Sequence, residues 1–582
     1  MVPAVYQRRD AADMAFCWEP SIPIHSFPAV PEDVTKMRTL PCYLLLALIA
    51  APSLAESPDR MNHDLLEVTV PQLEQMYREH RYTVTQVVQW YMARIAKYNG
   101  IYRAVQNVDA AGALAAAARE DAEASPHGAL WGVPVVTKAN TSVKGLVTTD
   151  GWQGYMIPGH ELIAPKDADI VVKLRAAGAI IIGQTNMPDF AASDTNRSTA
   201  FGRTGNAYDV RFSPGGSSGG TVTAVTANFA VLGNGTDTGN SIRMPAATSS
   251  VVGVFPSRGL VSIASIAPLD WLLDNTGPIA RNVTDATIAL DVMAGDDPHA
   301  QPGPYTAYLK TDALKGKRFG VPAFILQGAG IPFHGMPSTE PANRAAADRA
   351  AAQTPLRPET RAAFMKALEG LRTAGATIVF DDSILDDSFA EAASHICTLA
   401  YIREGTEKFL AEYGPPQYRS IEEYEKTVGS PMPHEIVNST DDDNVRPTLK
   451  QTNVESDPQA ETDFLGPRRR TIEAYVKTLD RLHLDGYVYP AAQMPPPDET
   501  MPQDGKISGG PHSDTSWVNM IGVPAVVVPG GFYPDRLPFG LEISARPWKD
   551  GDLLGWAYAY EQVTRHRRPP VLVEQGLLPD AR

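Results

Sequence analysis

Residues 213–243 read SPGGSSGGTVTAVTANFAVLGNGTDTGNSIR. Two glycine-dense stretches here flank an apolar middle. Residues 219–228 predict a helix, and Phe229-Ala230-Val231-Leu232-Gly233 predicts a buried strand: a short apolar run bounded by glycine. Glycine-dense loops beside buried strands let backbone approach a ligand closely and aim N–H groups at it. The segment therefore reads as a layered α/β unit that carries a site.

The same alternation extends outward. Upstream, Gly132-Val133-Pro134-Val135-Val136 predicts a strand, Ala168 to Ala177 a helix, and Ala179-Ile180-Ile181-Ile182-Gly183 another buried strand. Downstream, Gly316 to Pro322 and Thr377-Ile378-Val379-Phe380 predict strands around a helix at 358–373, and Gly522 to Pro529 a late core strand. Strands alternating with helices argue for an α/β fold with a mostly parallel or mixed sheet. The N-terminal part predicts helices at 64–80, 83–99 and 109–124. The second opens on the capping box Thr83-Val84-Thr85-Gln86, and Gly100 suits its end. Residues 328–357, rich in Gly, Pro and Ala, and 433–467, polar and acidic, read as surface excursions.

The chain has 582 residues, 43% hydrophobic and 20% charged, which provides for a large core and excludes a disordered chain. The formal net charge is −16, and no basic run exceeds Arg468-Arg469-Arg470. Such a chain is poorly suited to gripping phosphate backbones, so no nucleic-acid partner is expected. Tyr43 to Ala51 is an apolar run preceded by Arg38 and followed by Ser53-Leu54-Ala55, a small-x-small cleavage site. It predicts a signal peptide over 37–55, an exported (periplasmic or secreted) product and no stable membrane insertion after cleavage. The run is short of the ~20 apolar residues that span a bilayer. Residues 1–36 then read as an over-long gene start before Met37. Of Cys17, Cys42 and Cys397, only Cys397 would remain in the mature chain. An internal disulfide is thereby excluded, and Cys397 reads as a buried small hydrophobe.

Three loop chemistries can be tested on 213–243. A Walker A loop needs Lys after its last glycine, but Thr221 follows Gly220. A dinucleotide fingerprint needs G-x-G-x-x-G, and Gly233, Gly235 and Gly239 are spaced one residue too long. Gly215-Gly216-Ser217-Ser218-Gly219 matches the G-x-S-x-G nucleophile elbow, which also requires an Asp or Glu and a His; His512 and His566 are available. The histidines and cysteines form no metal-ligand motif, so neither a metal nor an organic cofactor is expected.

The whole pattern resembles the amidase signature family. The resemblance rests on the Gly/Ser block 213–220, on Gly-Thr-Asp-x-Gly-x-Ser-Ile-Arg as Gly235 to Arg243, and on Gly132-x-Pro134-x-x-x-Lys138. Gly183-Gln184-Thr185-Asn186-Met187, Asp274 to Arg281 and Asn519-Met520-Ile521-Gly522-Val523-Pro524 extend it across roughly 64–575. It implies one large α/β domain over 60–575, a mixed twisted sheet sandwiched between helices, with the signature core at about 130–260.

The resemblance also implies roles. Ser241 matches the nucleophile, Ser217 a bridging serine preceded by a cis peptide, and Lys138 the base. Backbone N–H groups of Thr238, Gly239, Asn240 and Ser241 would form the oxyanion hole. Asn240 stands where many relatives have Gly, and its side chain would narrow the pocket. Ser218, Asp237 and Arg243 would support the loop, with Asp237 and Arg243 paired. Pocket walls would come from 185–196, Ala191 among them, and from parts of 395–470. A serine hydroxyl needs a positioned base, and desolvation can lower a lysine's pKa from about 10.4 until it serves as one. The expected activity is hydrolysis of a small-molecule carboxylic amide through an acyl-enzyme. The alternatives are an α/β-hydrolase esterase using Ser217 and a His, and an inactive envelope binding protein. Intact Lys138, Ser217 and Ser241 speak against the latter.

Overall fold

The computed structural model describes residues 58–123, 127–326, 356–437 other than 387, 388, 390, 391 and 394, 451–500 and 510–570. The expected signal segment 37–55, residues 1–36, Cys17, Cys42 and most of the 328–357 excursion lie outside the described residues, as do 438–450 of the second excursion.

The strands are β1 (Val105–Val108), β2 (Pro134–Lys138), β3 (Ile180–Thr185), β4 (Arg197–Ser198), β5 (Gly202–Arg203), β6 (Leu232–Asp237), β7 (Val252–Phe255), β8 (Asn275–Ala280), β9 (Arg318–Val321), β10 (Thr377–Phe380), β11 (Gly486–Pro490), β12 (Ala525–Phe532) and β13 (Pro538–Ala545). Eleven form one sheet in the order β1-β3-β2-β6-β8-β7-β12-β13-β11-β9-β10; β4 and β5 form a hairpin of their own. β3, β2 and β6 run parallel, as do β11, β9 and β10. The strands between these trios, β8, β7, β12 and β13, pair antiparallel. The sheet is thus mixed. Every residue of β2, β3, β6 and β8 is buried, and in β2 and β3 this shows in the sequence as apolar runs rather than alternation.

The helix Gly219–Thr226 is buried at every position, so it is wrapped by other elements rather than lying on the surface. One contiguous apolar core runs from Leu65 to Tyr560 in sequence and makes the chain a single domain. A second cluster gathers around Trp517, Tyr475 and Tyr489.

Several boundaries differ from the sequence expectation. The helix expected at 64–80 is two, Pro58–Leu65 and Val70–Arg78. Thr69 and Gln72 form a capping box that starts the second, and Glu67 turns through a left-handed φ of 59°. The next helix, Val84–Tyr102, opens on the Thr83–Gln86 box but runs past Gly100 and ends at Arg103, itself left-handed. The apolar run at 229–233 lies mostly before its strand. Phe229 N–H bonds Ala224 O as the helix closes, and β6 begins at Leu232. The late strand starts only at Ala525, because Gly522 ends the helix Ser516–Ile521. Cys397 is half-buried, not fully buried; its N–H reaches Asp463 O in a loop ahead of the turn Leu399–Tyr401.

Candidate active site

β2 ends at Lys138 and is the central strand of the parallel trio β3-β2-β6, which places a long basic side chain inside the sheet rather than at its edge. Lys138 is completely buried. Its Nζ lies 2.6 Å from Ser217 Oγ, 2.8 Å from Thr236 Oγ1, 3.2 Å from Ser218 Oγ and 3.4 Å from Thr236 O. β6 fixes the base from beside: Asn234 Oδ1 accepts the Lys138 N–H at 3.1 Å, and Asn140 Nδ2 donates to Thr236 Oγ1 at 3.1 Å. Burial pushes the Lys138 ammonium down from its ordinary 10.5 to about 7, against the opposing pull of Asp150, Asp237 and Asp274. A lysine held only by hydroxyls and a carbonyl, with no carboxylate in an ion pair with it among the described residues, can exist as the free amine near neutrality.

Ser217 is fully buried and follows a cis Gly216–Ser217 peptide. The turn has no room for side chains: a Cβ on Gly216 would stand 2.3 Å from Thr195 O and 2.5 Å from Ser193 O. Ser218 Oγ donates to Thr236 O at 3.2 Å, and Ser218 N–H donates to Ser241 O at 3.2 Å. The last bond ties the Ser217 turn directly to Ser241. Ser241, just before the helix Arg243–Thr248, is 7% exposed where Ser217 is 0%. Among the described residues the Ser241 hydroxyl has no protein hydrogen-bond partner, and no histidine bonds Ser217 or Ser241.

The loop between β6 and that helix carries four consecutive amides. The N–H groups of Thr238, Gly239, Asn240 and Ser241 donate to no protein acceptor among the described residues. Side chains below shape the loop. Asp237 accepts from Ile242 N–H at 3.0 Å and from Arg243 Nε at 3.1 Å. Arg243 also donates to Glu542 Oε1 at 2.7 Å, to Thr515 Oγ1 at 2.9 Å and to Gly239 O. All three charged side chains are fully buried. Asn519 Nδ2 bonds Asp237 O at 2.6 Å and Leu273 O at 2.9 Å, while Thr238 Oγ1 donates to Asp274 Oδ1 at 2.5 Å.

Ala191 is buried with Ala139, Met187 and Leu269 in a small apolar cluster, and it and Phe190 both have left-handed backbone. Asn240 lies beside Asp194, whose carboxyl is pushed up by burial and drawn back by His512 and Asn240. His512 Nδ1 is 3.7 Å from Asp194 Oδ2, and His566 faces Tyr560 with ring centroids 6.1 Å apart. Neither histidine meets the serines as an esterase triad requires. Sequence reasoning missed Asn140, Asp150 and Glu542 as parts of this site. Thr236, Asp274 and Asn519 sit within recognised motifs but show their roles only in three dimensions. Among the described residues no group of three or more His, Cys, Asp or Glu side chains is arranged to hold a metal ion.

The sequence profile of the Amidase family matches residues 86–332 and 335–554. The chain is similar to a glutamyl-tRNA(Gln) amidotransferase subunit of Alkaliphilus metalliredigens, with 31% identity over 521 residues, covering 85% of this chain and 96% of the relative. The fold is similar to the native peptide amidase of Stenotrophomonas maltophilia, with a TM-score of 0.69 and 28% identity, over 87% of this chain and 98% of that one. A Bacillus anthracis amidase family protein shares the fold at a TM-score of 0.66 and 24% identity, over 89% and 95% of the two chains.

Proposed function

The chain belongs to the amidase family, and on that premise we propose that it hydrolyses a small-molecule carboxylic amide to a carboxylate and an amine or ammonia, through an acyl-enzyme on Ser241. The observation that carries the reading is the 2.6 Å contact between buried Lys138 Nζ and Ser217 Oγ, with Ser218 N–H bonded to Ser241 O. In the proposed sequence Lys138, as the free amine, takes the Ser217 hydroxyl proton. Ser217 in turn takes the Ser241 proton as Ser241 Oγ attacks the carbonyl carbon. The carbonyl oxygen gains the negative charge, and N–H groups of 238–241 receive it; one such donor is typically worth about 3–4 kcal/mol. The proton then returns through Ser217 to the leaving nitrogen, the C–N bond breaks, and water repeats the sequence on the ester.

Hydrolysis is favoured over transfer to a tRNA-bound acceptor, the chemistry named for the amidotransferase relatives, by two features. One is the similarity to a peptide amidase over nearly the whole of that chain. The other is the run Tyr43 to Ala51 with Ser53-Leu54-Ala55, which supports export away from cytosolic tRNA. The export reading is tested by cell fractionation and by sequencing the N-terminus of the recovered protein; a mature start at Glu56 supports it, and a retained 37–55 segment in the cytosol overturns it.

The function is tested with a fluorophosphonate probe on the purified protein, the label located by mass spectrometry. Label on Ser241 that vanishes in Ser241→Ala and weakens in Lys138→Ala supports the mechanism and justifies an amide and ester screen. Label on Ser217, or labelling indifferent to Lys138, overturns it.

A further inference from the structure

The antiparallel ladder between β6 and β8 stops at the edge of the oxyanion loop. Its pairs run in register from Leu232 opposite Ala280 to Asp237 opposite Asn275. The next pair in that register is Thr238 with Asp274, and among the described residues their backbones make no bond to one another. Their side chains do: Thr238 Oγ1 donates to Asp274 Oδ1 at 2.5 Å. A side-chain bond at this place holds the residue without consuming its N–H, which the mechanism above needs for the developing oxyanion.

Asp274 is a fixed point. It is buried, its N–H donates to Asp270 O at 2.7 Å, and its carbonyl accepts from Arg258 Nη1 at 3.0 Å. Its carboxylate accepts Leu269 N–H on Oδ2 at 3.1 Å and Asp270 N–H on Oδ1 at 3.3 Å. With backbone and carboxylate both tied, Asp274 cannot follow the loop, so the loop must follow Asp274. Thr238 and Gly239 are by contrast only half-buried, and little packs on the loop there. The Thr238 N–H belongs to the planar peptide unit whose oxygen is Asp237 O. Asn519 Nδ2 holds that oxygen at 2.6 Å, and the Thr238 side chain holds the other end of the unit through Cα. A planar unit held at both ends has its N–H aimed in one direction.

We propose that Asp274 is a positioning residue for the oxyanion hole: through the Thr238 hydroxyl it aims the Thr238 N–H at the oxygen of the reacting carbonyl. The proposal rests on the acyl-enzyme reading at Ser241, and its test separates the two claims. Donors act on the transition state only where they are already in place, so a loosened Thr238 costs rate rather than binding.

The experiment measures fluorophosphonate labelling of Ser241 in the full-length protein, separated into the limiting rate kinact and the binding constant KI; the phosphonyl oxygen stands in for the carbonyl oxygen. Burial pushes the Asp274 carboxyl up to about 7, so the rates are taken at about pH 8.5, above it and above Lys138. The variants change Thr238 alone and leave every charge in place. Thr238→Val keeps the branched shape and deletes the hydroxyl, Thr238→Ala deletes both, and Thr238→Ser restores the hydroxyl without the methyl; thermal unfolding reports the fold of each. The expected result is a kinact about tenfold to a hundredfold lower in Val and Ala, less than the loss of a whole donor, with KI within about threefold and Thr238→Ser within about threefold of wild type. A wild-type kinact in Val or Ala overturns this proposal alone. So does a loss that lies in KI, or one that Thr238→Ser shares in full, since either marks a structural role. Failure of both hydroxyl-free variants to fold while Thr238→Ser folds overturns it too, because the bond would then serve the fold. Absence of Ser241 labelling in wild type overturns the acyl-enzyme reading and this proposal with it.

Discussion

Lys138 Nζ lies 2.6 Å from Ser217 Oγ at the buried end of β2, and hydroxyl groups rather than carboxylates surround it. A base gripped in this way is governed by its own protonation. The ammonium has no lone pair to offer Ser217, and burial sets its midpoint at about 7. Labelling or hydrolysis should therefore fall about tenfold per pH unit below that midpoint and level off above it. Lys138→Met should lower the rate by about 10³-fold or more and abolish the limb. A flat wild-type profile between pH 5 and 8 would exclude Lys138 as the base.

The two serines should behave differently when removed. Ser241→Ala deletes the atom that bonds the acyl group, so covalent labelling should be lost altogether. Ser217→Ala leaves the nucleophile in place but breaks the path to Lys138, and should slow labelling by about 10²–10⁴-fold, the range for general acid–base assistance. Intact-mass spectrometry reads both. Equal and complete loss in the two variants, with both folded, would argue against a relay.

Arg243 is a fully buried cation that joins Asp237 to Glu542. Removing it would leave two carboxylates buried without their partner. Arg243→Ala should destabilise the fold by about 3–5 kcal/mol, as breaking a buried pair typically does. Arg243→Lys should recover only part of that, because an ammonium cannot reach Asp237, Glu542, Thr515 and Gly239 O with one planar fork. Urea denaturation followed by tryptophan fluorescence measures both. Arg243→Ala with wild-type stability would mean that the charges are compensated elsewhere.

Local sequence carried some of this and long-range contact the rest. The buried strands β2 and β3 and the helix Pro358–Thr373 were legible because apolar runs, bounding glycines and a proline at the helix start announce them. β7, β8 and β13 were not read as strands. β8 is Asn275-Thr276-Gly277-Pro278-Ile279-Ala280, polar and proline-bearing, and is a strand only because β6 and β7 hold it on either side. Lys138, Ser217 and Ser241 were legible as a combined motif. Glu542 was not: it meets Arg243 from 299 positions away, through the pairing of β12 with β13. Asp150 gave no signal, since nothing in Thr148-Thr149-Asp150-Gly151 says that its carboxyl is buried near a lysine. Register and burial decide such partners, and neither is local.

Two glycines of the site offer the sharpest contrast. A Cβ on Gly216 would press to 2.3 Å from Thr195 O and 2.5 Å from Ser193 O, both backbone atoms that cannot rotate away. Gly216→Ala must displace either the Ser217 turn or the segment 193–195, so it should cost about 1–3 kcal/mol of stability and most of the labelling rate. A Cβ on Gly239 would meet only Ser516, at 3.7 Å from Oγ and 3.9 Å from Cβ, which is ordinary contact. Gly239→Ala should leave stability within about 0.5 kcal/mol. Its methyl would nevertheless sit on the loop whose four amides have no protein acceptor among the described residues, so any loss of rate should come without loss of fold. Differential scanning fluorimetry and labelling kinetics on the pair decide it. Gly216→Ala labelling at the wild-type rate would show that the Ser217 turn need not hold its position for Ser241 to react, and the relay from Lys138 would lose its geometric basis.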